Sequence, residues 1–302
     1  LDTGAVSITH IAPRFGSDIA DWELRRNSAL AVREYVPGNL IYANAHKFVP
    51  RTFHLIPEEP IVFAVDLANE SIQETGGLAQ PTAPAQTEAL GSASIFGVQV
   101  CDVDAPHQSY ISDDEDYRFQ LPVAVFGQDQ GRHSGGPAYE WGKATLHLKH
   151  GLHMRLVNVG AASQVKARGE MGYPVCLVCG QSRSPMSTLK ELDSFNEHHI
   201  ERCGRPIQKV AFYAEAVADA LVLPDCASKE AAYSVMEALR QGAAEVLDME
   251  ISDLQVQVFG KPGSETYDAL LYDPMPGGSG LLEQMIGHWP AVIQRALSLV
   301  ED

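Results

Sequence analysis

The sequence predicts an α+β fold: a β-rich N-terminal half of mixed or antiparallel strands, a helix-containing C-terminal half, and an inserted loop that carries cysteines and histidines. Three observations predict it. Short runs of β-branched and aromatic residues dominate as far as about residue 160, helical periodicity takes over after residue 228, and between them lies Gly172–Pro206, which has only scattered large apolar residues. With 302 residues, 45% of them apolar, the chain can bury a real core.

Residues Asp18–Arg33 alternate apolar and polar positions at roughly helical spacing, which predicts a helix ended by the proline and glycine of "VPGN", Val36–Asn39. Strands are predicted for "LIYA" from Leu40, "IVFAVDL" from Ile61, "IFGVQVCDV" from Ile95, "FQLPVAVFG" from Phe119 and "TLHLKHGLHMRLVNVG" from Thr145. The stretch Thr75–Ser92 has two prolines and few large apolar residues, and reads as a flexible loop or linker. It divides an N-terminal α+β segment, 1–74, from an α+β domain, 93–302, with the finger at 172–206. "KVAFYAEAVADALVLP" from Lys209 opens a block richer in helix. Ala231, Ala232, Val235, Met236, Leu239, Ala243, Val246 and Leu247 recur at three and four behind Ser228 as N-cap. The strands "LQVQVFG" and "YDALLYD" follow. "PMPGGSG" then leads into a last helix with Leu281, Leu282, Met285 and Ile286 on one face.

No apolar run is long enough to span a bilayer, and "LDTGAVSITH" has neither the basic start nor the apolar block of a signal peptide. No membrane partner is therefore expected. An N-terminus without Met fits a piece of a longer polypeptide. Five cysteines, an odd and small number, argue against a disulfide framework and point to a reducing compartment, the cytoplasm. The formal charge of −17 opposes nucleic-acid binding by the chain as a whole. Between Lys143 and Lys209, however, ten Lys/Arg face five Asp/Glu, a net +5, while the remainder carries twelve against thirty-four. Within that basic stretch Lys166, Arg168, Arg183 and Arg205 are the candidate phosphate contacts, against the alternative of a merely solvated loop.

"YPVCLVCGQS" sets Cys176 and Cys179 on one tight turn, and "FNEHHIERCG" supplies His198, His199 and Cys203. The pattern is C-x2-C-x18-H-x4-C with His198, or x19 and x3 with His199. Three sulfurs and an imidazole suit tetrahedral zinc, so the inserted loop reads as zinc-binding, and four protein ligands make the ion structural rather than catalytic. A redox pair or unliganded thiols are the alternatives. The redox reading needs a helix after the pair, which Gly180, Ser182, Ser184 and Pro185 disfavour. Cys101 and Cys226 read as buried thiols. His147, His150 and His153 do not share a strand face, and the acidic run Ser112–Tyr117 reads as a solvated turn. The loop with Gly277, Gly278, Ser279 and Gly280 aims backbone N–H groups toward an anion or partner, or simply packs a helix onto a sheet. No Walker loop, Gly-x-Ser-x-Gly elbow or H-E-x-x-H helix occurs, so the sequence carries no motif of an autonomous enzyme.

The blocks "ALAVREYVPGNLIYANAHKFVPRTFHL" from Ala29, "RLVNVG" from Arg155, the "CLVCG" finger, "ADALVLP" from Ala218 and "LLYDPMPGGSGLLEQM" from Leu270 resemble successive blocks of the helicase-associated, MrfA-type zinc-binding (MZB) domain. The resemblance implies a non-catalytic accessory module on the C-terminal side of a large superfamily 2 DNA helicase, or a subunit working beside one, in DNA repair or phage defence. It implies structural Zn2+, and as partners single-stranded DNA and helicase motor domains in cis or in trans. A protein-interaction module with no DNA contact is the alternative. Members often carry a further cysteine cluster after the last helix, where this sequence reads "SLVED". The metal site expected here is the internal finger.

Overall fold

The computed structural model describes residues 4–12, 19–56, 61–75, 92–112, 117–132, 134–275 and 278–301. The architecture is α+β. The chain divides into two compact units, one of residues 1–67, 74–125 and 157–214, the other of 68–73, 126–156 and 215–302. The expected linker Thr75–Ser92 falls almost wholly on residues 76–91, outside the described residues, as do residues 113–116 of the acidic run.

In the first unit, strand Ala5–His10 pairs antiparallel with Trp22–Asn27 and parallel with Val103–Asp104, which in turn pairs with Thr52–Phe53. A three-stranded antiparallel sheet joins Ile41–Ala43, His46–Phe48 and His107–Tyr110, with His46–Phe48 in the middle. Strand Ser92–Gln99 lies antiparallel to Ile61–Asp66 and parallel to the start of the long strand Gln208–Cys226, whose first residues also pair with Tyr173–Val175. The core is aromatic: Phe53 and Tyr173 pack on Phe212 with ring centroids 4.8 and 5.6 Å apart. Fully buried Asn158 ties it together, donating to Val32 O (2.8 Å) and accepting from the Tyr173 hydroxyl (2.8 Å). Three helices belong here among the described residues: α1 (Ser28–Glu34), α2 (Ala162–Arg168) and α3 (Leu189–Cys203).

The second unit holds α4 (Lys229–Leu247), α5 (Leu281–Gly287) and α6 (Trp289–Glu301) with strands Gln255–Gly260 and Tyr267–Tyr272, antiparallel to each other. Helix α4 starts where the sequence places its cap, the Ser228 hydroxyl accepting from Ala231 N at 3.2 Å. Met236, Leu239 and Ala243 bury one face of α4 with Leu271, Val292 and Ala296. Gly242 permits the close crossing, since a Cβ there would meet Val292 O at 2.9 Å. The expected last helix is two, α5 and α6, separated at His288.

One expectation is corrected. The helix predicted over Asp18–Arg33 is, from residue 22, a strand followed by the short α1. Trp22, Leu24 and Arg26 are half-buried while Glu23 and Arg25 are exposed, a period of two that pairing with Ala5–His10 selects. Asn27 then accepts from Leu30 N at 2.9 Å and caps the helix. The segment "KVAFYAEAVADALVLP", which opens the helix-richer block, is itself strand throughout, with Val210, Phe212, Tyr213 and Val222 buried and Val217 exposed.

Candidate metal centre

Strand Tyr173–Val175 delivers the chain into a turn that carries Cys176 and Cys179, and the last turns of α3 carry His199 and Cys203. The ligand atoms of these four residues all lie within 4.8 Å of one another. The turn is closed by Gly180 N donating to Cys176 O and Cys176 N donating to Gln181 O, both 2.9 Å. Gly180 has φ +69°, and a Cβ there would sit 1.7 Å from Phe53 O, so only glycine fits.

Helix α3 is fixed at both ends. Thr188 and Glu191 form a capping box, with Thr188 N donating to Glu191 Oε2 at 2.8 Å and Glu191 N to Thr188 Oγ1 at 3.3 Å. Gly204, at φ +72°, ends it by donating to Ile200 O at 2.8 Å. Four residues apart on this helix, His199 and Cys203 share a face. His198 is turned away, exposed, with Nδ1 2.7 Å from Ser194 O. Of the two histidines the sequence leaves open, the structure brings His199 to the sulfurs.

Cys176 Sγ and Cys203 Sγ are 3.8 Å apart, and Cys179 Sγ and His199 Nε2 are 3.7 Å apart. A tetrahedral zinc with sulfur at about 2.3 Å places two sulfurs about 3.8 Å apart, and sulfur and imidazole nitrogen about 3.6 Å. The donor set therefore fits that ion with no position left for water, and the sulfur spacing is far beyond a disulfide. His199 Nδ1 lies 3.2 Å from Gln181 Oε1; donating there, it leaves Nε2 free as the ligand. Burial opposes ionisation of Cys176, yet the backbone amides of Cys179 and Val178 and the side chains of His199 and Cys179 bring its thiol down to about 7. Desolvation and the sulfurs of Cys179 and Cys176 push Cys203 up to about 11. Clustered sulfurs resist joint ionisation, and a divalent cation removes that resistance.

The other expected residues are scattered. Lys166 and Arg168 are exposed at the end of α2, where positive charge also suits the helix terminus. Arg205 is exposed beyond Gly204, and Arg183 stacks on Phe195 with its guanidinium carbon 4.5 Å from the ring centroid. Gly277 lies outside the described residues. Around Gly278 and Gly280, Ser279 donates from N and Oγ to Asp273, which is 1% exposed. The loop thus spends those donors on an internal carboxylate. Cys101 is buried, its thiol pushed up to about 12 by burial first and Asp102 second, and Cys226 is half-buried with its thiol raised by burial. His147 and His153 stay apart from His150, which faces Asp219 at 3.3 Å with exposed Glu283 nearby. Among the functional side chains that sequence reasoning missed, Gln181 carried no signal, whereas Thr188-x-x-Glu191 announced α3.

Residues 235–302 match the family model of the MrfA Zn-binding domain. No curated protein matches the chain. Two solved structures align with it, both of the DUF1998 helicase MrfA bound to DNA, the second also with AMPPNP. The first has TM-score 0.36, 9% identity and coverage of 95% of this chain and 28% of that one; the second has 0.31, 10%, 98% and 27%. The chain thus spans less than a third of those proteins' length. The matched segment runs from α4 to α6, contains no cysteine, and does not include the Cys3His cluster. On that match, residues 235–302 of the chain are similar to the MrfA Zn-binding domain family.

Proposed function

We propose that the chain is a non-catalytic accessory module of a superfamily 2 DNA helicase, working on motor domains in cis or in trans in DNA repair or phage defence. The observation that carries the reading is the family match over residues 235–302. Zn2+ held by Cys176, Cys179, His199 and Cys203 fixes α3 as a rigid element within the finger 172–206, for contact with DNA or with the motors. The closed donor set supports a structural ion and leaves hydrolysis on the metal without a site. Lys166, Arg168 and Arg205, exposed in the same unit, add positive charge for phosphate. The test is reconstitution with a polypeptide carrying the two motor domains. ATP hydrolysis stimulated by single-stranded DNA is expected to fall at least tenfold when this chain is omitted or its metal stripped, and an unchanged rate refutes the reading. A second reading, docking of a basic protein without DNA contact, is favoured by the net charge of −17. It is supported if co-purification survives nuclease while the assembled protein binds no DNA.

A further inference from the structure

A cleft of about 540 Å³ runs along one face of α3. Lys190, Ser194, His198 and Arg202 line it at intervals of four residues, Phe195 lies among them, and Arg183 reaches in from the preceding loop to stack on that ring. What sets the cations here apart from Lys166, Arg168 and Arg205, which also lack an ion-pair partner among the described residues, is that they line one cleft; several other cations of the chain are paired. Arg155 meets Glu215, Lys229 meets Glu70, Lys261 meets Asp225 and Asp268, and Arg295 meets Glu245. Arg183, Lys190 and Arg202 have no carboxylate in ion-pair range among the described residues, although acids outnumber bases thirty-nine to twenty-two in the chain. Glu191, the acid in the lining, is bound by Thr188 N at 2.8 Å and Thr188 Oγ1 at 2.9 Å, and Arg183 acts on it only through space, as the smallest of the causes that lower its carboxyl. Arg51, without an ion-pair partner too, sits half-buried beside this group; burial, and then the like charge of Arg183, hold its guanidinium below the usual arginine range. Cations that outnumber the one acid lining a concavity attract a mobile anion.

We propose that this cleft binds one nucleotide of a single-stranded nucleic acid, its phosphate held by Arg183, Lys190 and Arg202 and its base stacked against the Arg183–Phe195 pair. An acidic peptide would satisfy the cations but has no use for the aromatic ring, whereas cations beside a stacking platform are what sequence-tolerant single-strand binding needs. The volume suits one nucleotide rather than a duplex. A divalent ion with three thiolates and a neutral imidazole carries a net −1, so the phosphate is drawn to the outer cations and away from the metal. The proposal rests on the reading above in taking nucleic acid as the partner class, and it names the surface.

The test is fluorescence anisotropy of labelled dT12 with the zinc-loaded full chain across a salt series, each variant first checked for unchanged zinc content and circular dichroism. Each lost phosphate contact removes about 0.7 from the slope of log affinity against log salt, so Lys190→Gln/Arg202→Gln is expected to lose about 1.4 in slope and about 20-fold in affinity at 0.1 M salt. Phe195→Leu is expected to cost about fivefold or more with the slope unchanged, because stacking releases no counterions. Lys143→Gln, exposed in the other unit, is expected to change neither. If dT12 binds and the cleft variants bind it as tightly as the unsubstituted chain, the cleft proposal is overturned, while the accessory role is still judged by the ATPase reconstitution. Absence of dT12 binding at 50 mM salt, with or without capture of a poly-glutamate peptide, also overturns it.

Discussion

His198 and His199 are neighbours in sequence but about 100° apart on a helix, and that rotation decides which one meets the sulfurs. The thiols decide when the site fills. In the metal-free protein Cys203 is raised to about 11 and Cys176 lowered to about 7. Metal binds thiolates, so each thiol still protonated at a given pH costs one proton on binding. Between pH 7 and 9 Cys203 must surrender its proton while Cys176 is already largely ionised, and affinity rises at least tenfold per unit. Below about 7 Cys176 is protonated as well, and the dependence steepens to at least a hundredfold per unit. Competition with a chromophoric chelator from pH 6 to 9 reads the slope; a flat profile would show that these thiols are not the ligands.

At the scale of the element, α3 is a helix that its own sequence barely supports. Fifteen residues long, it buries only His199, and Leu189 is 78% exposed. Isolated helices of this length are marginal in water, so its ends matter. Thr188→Ala removes the capping box and is expected to cost about 0.5–2 kcal/mol, read in urea denaturation of the metal-free chain. In the zinc-loaded protein the same change should appear as weaker metal binding instead. This element also shows what was legible beforehand. The four-ligand spacing could be read from residues, because metal chemistry constrains residue types and intervals. The helix between the two ligand pairs could not be read from hydrophobic periodicity, because its face carries ligands and cations where periodicity looks for leucines. Thr188 and Glu191 did mark its start. Lys190 and Arg202 are illegible as a pair for the opposite reason: position along the chain separates them by twelve residues, and their common face exists only once the helix does. Trp22–Asn27 imitates a helix in sequence because Leu24 and the apolar residues of α1 together fall at helical spacing, and only pairing with Ala5–His10 reveals the period of two.

At the scale of the whole molecule, two kinds of stabilisation serve different parts of one chain. In the second unit α4 and α6 bury Met236, Leu239, Ala243, Val292 and Ala296 together, and no member of the Cys3His cluster belongs to that unit. Burial of each large side chain contributes about 1.5–3 kcal/mol there, independent of any ion. Beyond Tyr173 and Val175, which are buried in the first unit's core, the finger has no comparable core: Val178, Met186, Leu189 and Ile200 are all exposed. A structural zinc supplies about 10–16 kcal/mol of apparent binding free energy in small fingers, enough to order such a segment by itself. Chelation should therefore separate the two parts. In hydrogen exchange of the chelated protein, amides of α3 are expected to lose protection by several orders of magnitude, while those of α4 and α6 keep theirs. If α3 stays protected without metal, packing rather than coordination orders it, and the rigid-element role assigned to the ion fails. If α4 and α6 open together with α3, the chain folds as one cooperative body, and the metal stabilises the family-matched segment as well as the finger.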